Sequence, residues 1–158
     1  MKVKSEKGFT LIDITVAIIV ILALMSLISV IFFNITKSSK SIERESDATY
    51  IATTVIEDIK AQDYDNIALT STNILNNDNI STENAPNVEN YTYTDGKKVD
   101  ISIPDGYLCK VQIQNYVPAN RTEANTDLVK LVLVEVSYKV GGEVKSVSLK
   151  TSIVNNNV

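Results

Sequence analysis

Histidine and tryptophan are absent from the chain, and cysteine occurs once, as Cys109. Without histidine, the chain lacks the side chain that most often acts as general base, proton shuttle or transition-metal ligand. One cysteine cannot close an intrachain disulfide, so the fold must be held by packing and hydrogen bonds. We therefore expect no enzymatic activity, no metal and no cofactor, and we interpret Cys109 as a small buried apolar residue.

Mixed runs of basic and aromatic side chains are missing as well. The net charge is −4 and the sequence pI is about 4.8. A protein that follows a phosphate backbone needs clustered Lys and Arg, so we expect no nucleic-acid partner. The 158 residues suffice for one modest domain with an appendage, and not for two substantial cores.

The chain does contain a long apolar run, Ile14 to Phe33. Its only polar side chains are Thr15, Ser26 and Ser29. At about 1.5 Å per residue, a helix of this length matches a hydrocarbon core roughly 30 Å thick. The run therefore predicts a transmembrane helix.

Three lysines, Lys2, Lys4 and Lys7, precede this run. The positive-inside bias then predicts a single-pass protein of the cytoplasmic membrane, with its N-terminus inside and its C-terminal part outside. A cleaved secretory signal normally has a shorter apolar core that ends at small residues, and this run has neither property. A plain signal anchor remains open, because hydropathy alone does not exclude it.

The residues at the start of the run are Lys7, Gly8, Phe9, Thr10, Leu11, Ile12 and Asp13. This stretch resembles the prepilin leader of type IV pilins and type II secretion pseudopilins. The resemblance implies cleavage between Gly8 and Phe9 by prepilin peptidase and methylation of the new amine of Phe9. It also implies assembly through the N-terminal helix into an extracytoplasmic filament. The implied partners are other pilin subunits, the peptidase and an inner-membrane assembly platform.

Asp13 departs from the family pattern, in which the fifth mature residue is usually Glu. A carboxylate within the apolar belt costs about 3 kcal/mol, so it needs a partner. The candidate is the amine of Phe9 on a neighbouring subunit, in a pair that would set the register between helices. The alternative is that Asp13 lies close enough to the interface to reach the lipid head groups.

The helix is predicted to continue beyond the membrane, because no proline precedes Pro86 and no glycine lies between Gly8 and Gly96. Up to about Lys60, apolar residues recur at spacings of three and four, which predicts an amphipathic half-helix covered by a sheet of the same chain. These residues are Ala48, Ile51, Ala52, Val55, Ile56 and Ile59.

Residues 61–90 are rich in Asn, Asp, Ser and Thr, which predicts a long surface loop. By resemblance, it is the variable connection between helix and sheet. Asp63, Asp65 and Asn66 offer oxygen donors for calcium, but they lack the spacing of a calcium loop, and we assign no metal there.

From residue 91 to 154 the apolar period changes to two, which predicts an antiparallel sheet of about four or five strands. A polar excursion, Pro118 to Asp127, interrupts it as a second loop. The predicted strands are Tyr91–Thr94 and Val99–Ile103 around Asp95–Gly96, a third strand at Cys109–Ile113, and Val132–Val140 and Val147–Ile153 around Gly141–Gly142.

The expected class is thus α+β, with the pilin fold. Its parts are a leader at 1–8, a transmembrane and filament-core helix at 9–36, and an extracytoplasmic head at 37–158. The stretch from Ala52 to Tyr64 looks like the helix end of PilV-type minor pilins, and the terminal strand pair around Gly141 and Gly142 resembles theirs, so we expect a minor rather than a major subunit. A secretion or competence pseudopilin and a membrane-anchored binding domain that never polymerises remain open.

Overall fold

The computed structural model describes residues 10–72, 80–117 and 128–156 of the chain. Within them lie one long helix, two short 3-10 helices and three strands. The elements are α1 (Leu11–Lys60), the 3-10 helices Tyr64–Asn66 and Val88–Asn90, β1 (Tyr107–Asn115), β2 (Val129–Val140) and β3 (Glu143–Val154). The chain separates into two compact units, residues 1–40 and 41–158, and α1 contributes to both.

The second unit is built around the amphipathic end of α1. All six apolar residues that the sequence places on one face of this segment are buried, and they belong to one core cluster with the inner face of the sheet. Val111 of β1 and Val134 of β2 are fully buried in that cluster. The prediction of a half-helix covered by a sheet of the same chain is confirmed, and the class is α+β.

The sheet is antiparallel, in the order β1, β2, β3. Val134 pairs with Val111 on one side and with Leu149 on the other. Because side chains alternate between faces, Val132, Val134 and Val136 of β2 share the face that belongs to the buried core. The predicted turn joins β2 to β3, and its two glycines have φ of 61° (Gly141) and 90° (Gly142), as a two-residue hairpin requires.

The predicted count of four or five strands is wrong, because the described residues form three. The turn at Asp95–Gly96 exists, but only one bridge, Thr92 to Lys98, joins its two arms. The first arm bonds to the connection that follows α1 instead: the Thr94 amide donates to the carbonyl of Asn66, at 2.9 Å. Contacts with the helix-to-sheet connection thus replace the hairpin ladder.

The second arm, Val99–Ile103, does not enter the sheet either. Its burial alternates, with Val99 buried and Asp100 exposed, so the backbone is strand-like without a ladder. Pro104 follows directly and cannot donate a ladder hydrogen bond.

The connection after α1 contributes to the core, although its sequence predicts a surface loop. Ile67 and Val88 are each only 1% exposed. Thr70 covers the outer edge of β1: its amide donates to the carbonyl of Ile113, at 3.0 Å, and the Ile113 amide donates to its hydroxyl, at 2.8 Å. The predicted loop Pro118–Asp127 lies outside the described residues.

Candidate functional site: the exposed apolar helix and its cap

The first part of α1 exposes an almost continuous apolar surface. The exposed fraction of its large hydrophobic side chains, from Leu11 to Ile35, ranges from 50% at Ile14 to 80% at Leu11. Leaving such a side chain in water costs on the order of 1 kcal/mol. Summed over the segment, that cost exceeds the 5–15 kcal/mol that typically stabilises a whole domain. This surface therefore needs an apolar environment.

The same segment meets the requirements of a membrane span. Its most apolar 18-residue window has a mean hydropathy of 3.1, and no part of that window is buried within the protein. By length and composition, α1 can cross a bilayer. This agrees with the predicted span Ile14 to Phe33.

The hydroxyl side chains in the segment donate to carbonyls of the helix itself. The hydroxyl of Thr15 donates to the carbonyl of Ile12, at 2.9 Å, and that of Ser29 donates to Met25, at 2.8 Å. Ser26 bonds in the same way to Ala23, at 2.8 Å. An unsatisfied hydroxyl would be costly in lipid, so these local bonds make the segment compatible with an apolar environment.

Asp13 closes the N-terminus of α1 together with Thr10. The Asp13 carboxylate accepts hydrogen bonds from the Thr10 amide, at 3.0 Å, and from the Thr10 hydroxyl, at 2.7 Å. The Asp13 amide in turn donates to the Thr10 hydroxyl oxygen, at 3.4 Å. This reciprocal arrangement is a capping box, which stabilises a helix start by about 1 kcal/mol.

Sequence analysis considered Asp13 as a charge within the apolar belt and missed the cap, although the spacing of Thr10 and Asp13 is its usual signal. Both bonds from Thr10 go to the same carboxylate oxygen, Oδ2. Gly8 and Phe9, the predicted cleavage residues, lie outside the described residues. The pairing of Asp13 with the Phe9 amine therefore stays a prediction.

In the second unit, two tyrosine hydroxyls form hydrogen bonds with acidic side chains of α1. Tyr93 donates to the carboxylate of Asp58, at 2.8 Å, and Tyr107 donates to that of Asp47, at 2.9 Å. Burial and then the neighbouring Asp58 raise the pKa of Tyr93 well above its ordinary value. Both tyrosines thus stay protonated and able to donate at neutral pH.

Lys130, at the start of β2, is a structural residue that sequence reasoning missed. It is only 5% exposed. Its ammonium donates to the carbonyls of Tyr64, at 2.8 Å, and Ile67, at 3.0 Å, and lies 4.0 Å from the centre of the Tyr64 ring. It therefore ties the turn after α1 to the sheet. A lysine next to the alternating apolar run of β2 was the available signal.

Metal-binding side chains do not come together in the part of the chain that the structure describes. No group of three or more His, Cys, Asp or Glu side chains is placed there to hold a metal ion. Cys109 is buried, and this burial raises the pKa of its thiol to about 12, which makes it a poor nucleophile.

Comparison of the chain with models of protein families, with curated proteins and with solved structures finds no match.

Proposed function

We propose that the chain is the membrane-inserted precursor of a subunit of a type IV pilus-like filament, and within that class a minor pilin. The observation that carries the proposal is the exposed apolar part of α1, joined to a folded unit that buries its own core. Such a helix needs lipid before assembly and other helices afterwards.

Cleavage between Gly8 and Phe9 would remove the three leader lysines and leave the whole of α1 on the mature protein. Without the lysines, the helix no longer carries the charges that hold its start in the cytoplasm. Lipid tails and packed helices are similarly apolar, so the transfer of α1 from bilayer to filament costs little hydrophobic free energy. Packing and the Asp13 carboxylate would then determine how neighbouring helices align.

The proposed partners are other pilin subunits, the peptidase and the assembly platform, and we propose no enzymatic role. A type II secretion or competence pseudopilin would use the same residues. A membrane-anchored binding domain that never polymerises is the candidate of another class, since a membrane span also satisfies the exposed helix.

The test compares the chain from membranes of cells with and without the processing peptidase, by intact mass. We expect the peptidase to remove residues 1–8 and to add one methyl group, and we expect the processed form in the sheared filament fraction. An unprocessed chain that stays entirely in the membrane in both strains would favour the anchored binding domain.

A further inference from the structure

A groove of about 540 Å³ runs along α1 where the predicted membrane span ends. We name it the exit groove, and the residues that line it are Ile28, Ser29, Phe32, Phe33, Thr36, Lys37 and Lys40. They fall into two adjacent rows in which successive residues are four positions apart, so they share one face of the helix. One end of the groove is apolar, and the other end carries two lysines.

The apolar end is open to its surroundings. Phe32 and Phe33 are 71% and 74% exposed, and Ile28 is 62% exposed. All three lie in the second half of the predicted span, which runs from residue 14 to residue 33. This is the depth of the leaflet at the C-terminal end of the span. Acyl chains of that leaflet are therefore the apolar groups that reach this end of the groove.

The lysines lie just beyond the span. Lys37 follows Phe33 by about 6 Å along the helix axis, which is the depth of the lipid head groups. Side chains of a helix lean towards its N-terminus, so Lys37 and Lys40 lean back towards the bilayer. An ammonium group at this depth is attracted to the phosphate of an anionic lipid.

Both ammonium groups are available to a ligand. Neither lysine forms an ion pair or a hydrogen bond with another described residue. The charged residues that follow on α1 are Glu43, Arg44, Glu45 and Asp47. None of them lines the groove. The hydroxyls of Ser29 and Thr36, which do line it, already donate to carbonyls of the helix. The lysines thus supply the free donors of the groove, and these donors suit an anion.

We propose that the exit groove binds one anionic phospholipid from the leaflet at the C-terminal end of the span. One acyl chain lies along Ile28, Phe32 and Phe33, and the head-group phosphate lies between Lys37 and Lys40. The groove extends for about 18 Å along the helix, close to the roughly 20 Å of one leaflet with its head groups. The proposal goes beyond the filament role, since it needs only a helix that crosses a bilayer.

Native mass spectrometry of the full-length chain, released from lipid nanodiscs, tests the proposal. The discs contain phosphatidylcholine and the anionic phosphatidylglycerol in equal parts. We expect one phosphatidylglycerol molecule to stay bound to the chain in clear excess over phosphatidylcholine. A lysine near an anionic surface contributes about fivefold to affinity, so Lys37→Gln with Lys40→Gln should lower the apparent affinity about 25-fold. Lys37→Arg with Lys40→Arg keeps both charges and should retain the lipid.

Control variants separate a groove from simple attraction to charge. Lys60→Gln with Lys139→Gln removes the same charge from exposed positions of the second unit and should retain the lipid. Ser29→Phe fills the apolar end and keeps both lysines, and it should release the lipid. Ser26→Phe adds the same bulk to α1 outside the groove and should retain it.

Four results would overturn the proposal. Equal retention of the two lipids would exclude a head-group site. Equal losses in the two lysine-to-glutamine pairs, or unchanged binding by Ser29→Phe, would attribute the binding to net charge. A chain that leaves the discs as a dimer without lipid would show that a second copy covers this face. The proposed function is tested separately, by processing and by entry into filaments.

Discussion

Replacing Asp13 with Asn separates the two roles open to its carboxylate. Asn keeps a side-chain oxygen that can accept from Thr10, so the cap is retained, but it removes the negative charge. Asp13→Ala removes both. Asp13→Glu keeps the charge on a longer side chain. If Asp13 only caps α1, Asn should behave like the natural residue; if it pairs with the amine of Phe9, Asn should behave like Ala.

The two roles differ in the free energy that the carboxylate contributes. Loss of the cap costs about 1 kcal/mol, and removal of the charge makes membrane insertion about 3 kcal/mol easier. Leaving the Phe9 amine without its partner among packed helices costs about 3 kcal/mol or more, a factor of at least about a hundred in incorporation. We therefore expect both Ala and Asn to insert and to be cleaved normally, and to be nearly absent from filaments.

The assay is the ratio of variant protein in sheared filaments to that in membranes, measured by quantitative mass spectrometry together with the fraction cleaved. Thr10→Ala is the matched control, because it removes the hydroxyl of the cap and leaves the carboxylate. For Thr10→Ala, the ratio of filament to membrane protein should lie within about threefold of the ratio for the natural chain. The same holds for Asp13→Glu. Normal incorporation of Asp13→Asn would refute the pairing.

Three further predictions concern the folded unit and use thermal or urea unfolding of the full chain in detergent. Lys130→Met removes the ammonium that donates to the carbonyls of Tyr64 and Ile67, although the Tyr64 carbonyl keeps the Ile67 amide as a donor. This variant should lower the free energy of unfolding by about 2 kcal/mol, whereas Lys139→Met at an exposed position should change it by less than about 0.5 kcal/mol. Equal stability of the two variants would contradict the role of Lys130. Burial raises the pKa of the Cys109 thiol from 9.0 to about 12. The contribution of the buried, protonated thiol to the free energy of unfolding is therefore fully present below pH 9 and is lost as the pH rises towards 12. The natural chain should therefore lose roughly 2 kcal/mol more between pH 8 and 11 than Cys109→Ala, and parallel losses would show that the thiol does not contribute. Gly142→Ala should cost about 1 kcal/mol because φ at this position is +90°, while Ser146→Ala on exposed β3 should be nearly neutral; a neutral Gly142→Ala would contradict the turn geometry.

Local pattern was enough to predict the helix and the last hairpin. Apolar spacing of three and four specifies the face of α1 that includes Val55 and Ile59, and strict alternation specifies β2 and β3. The two glycines at 141 and 142 determine where the hairpin turns. The apolar face of α1 follows a single period, and β2 and β3 are adjacent in the chain. Both features can therefore be predicted from the local sequence.

The remaining features depend on contacts between distant residues. Asp95–Gly96 does form a turn, but the tertiary bond from Thr94 to Asn66 competes with the ladder that the alternating pattern predicts. Lys130 is buried because two carbonyls more than sixty positions earlier in the chain converge on it, which no local pattern encodes. The cap at Thr10 is a local signal and was predictable from spacing.

Peptide mapping of the chain from purified filaments tests the central claim most directly. We predict an N-terminal peptide that begins at methylated Phe9 and continues into the apolar segment Ile14 to Phe33. Chains that still begin at Met1, found in membranes and never in a filament, would contradict it.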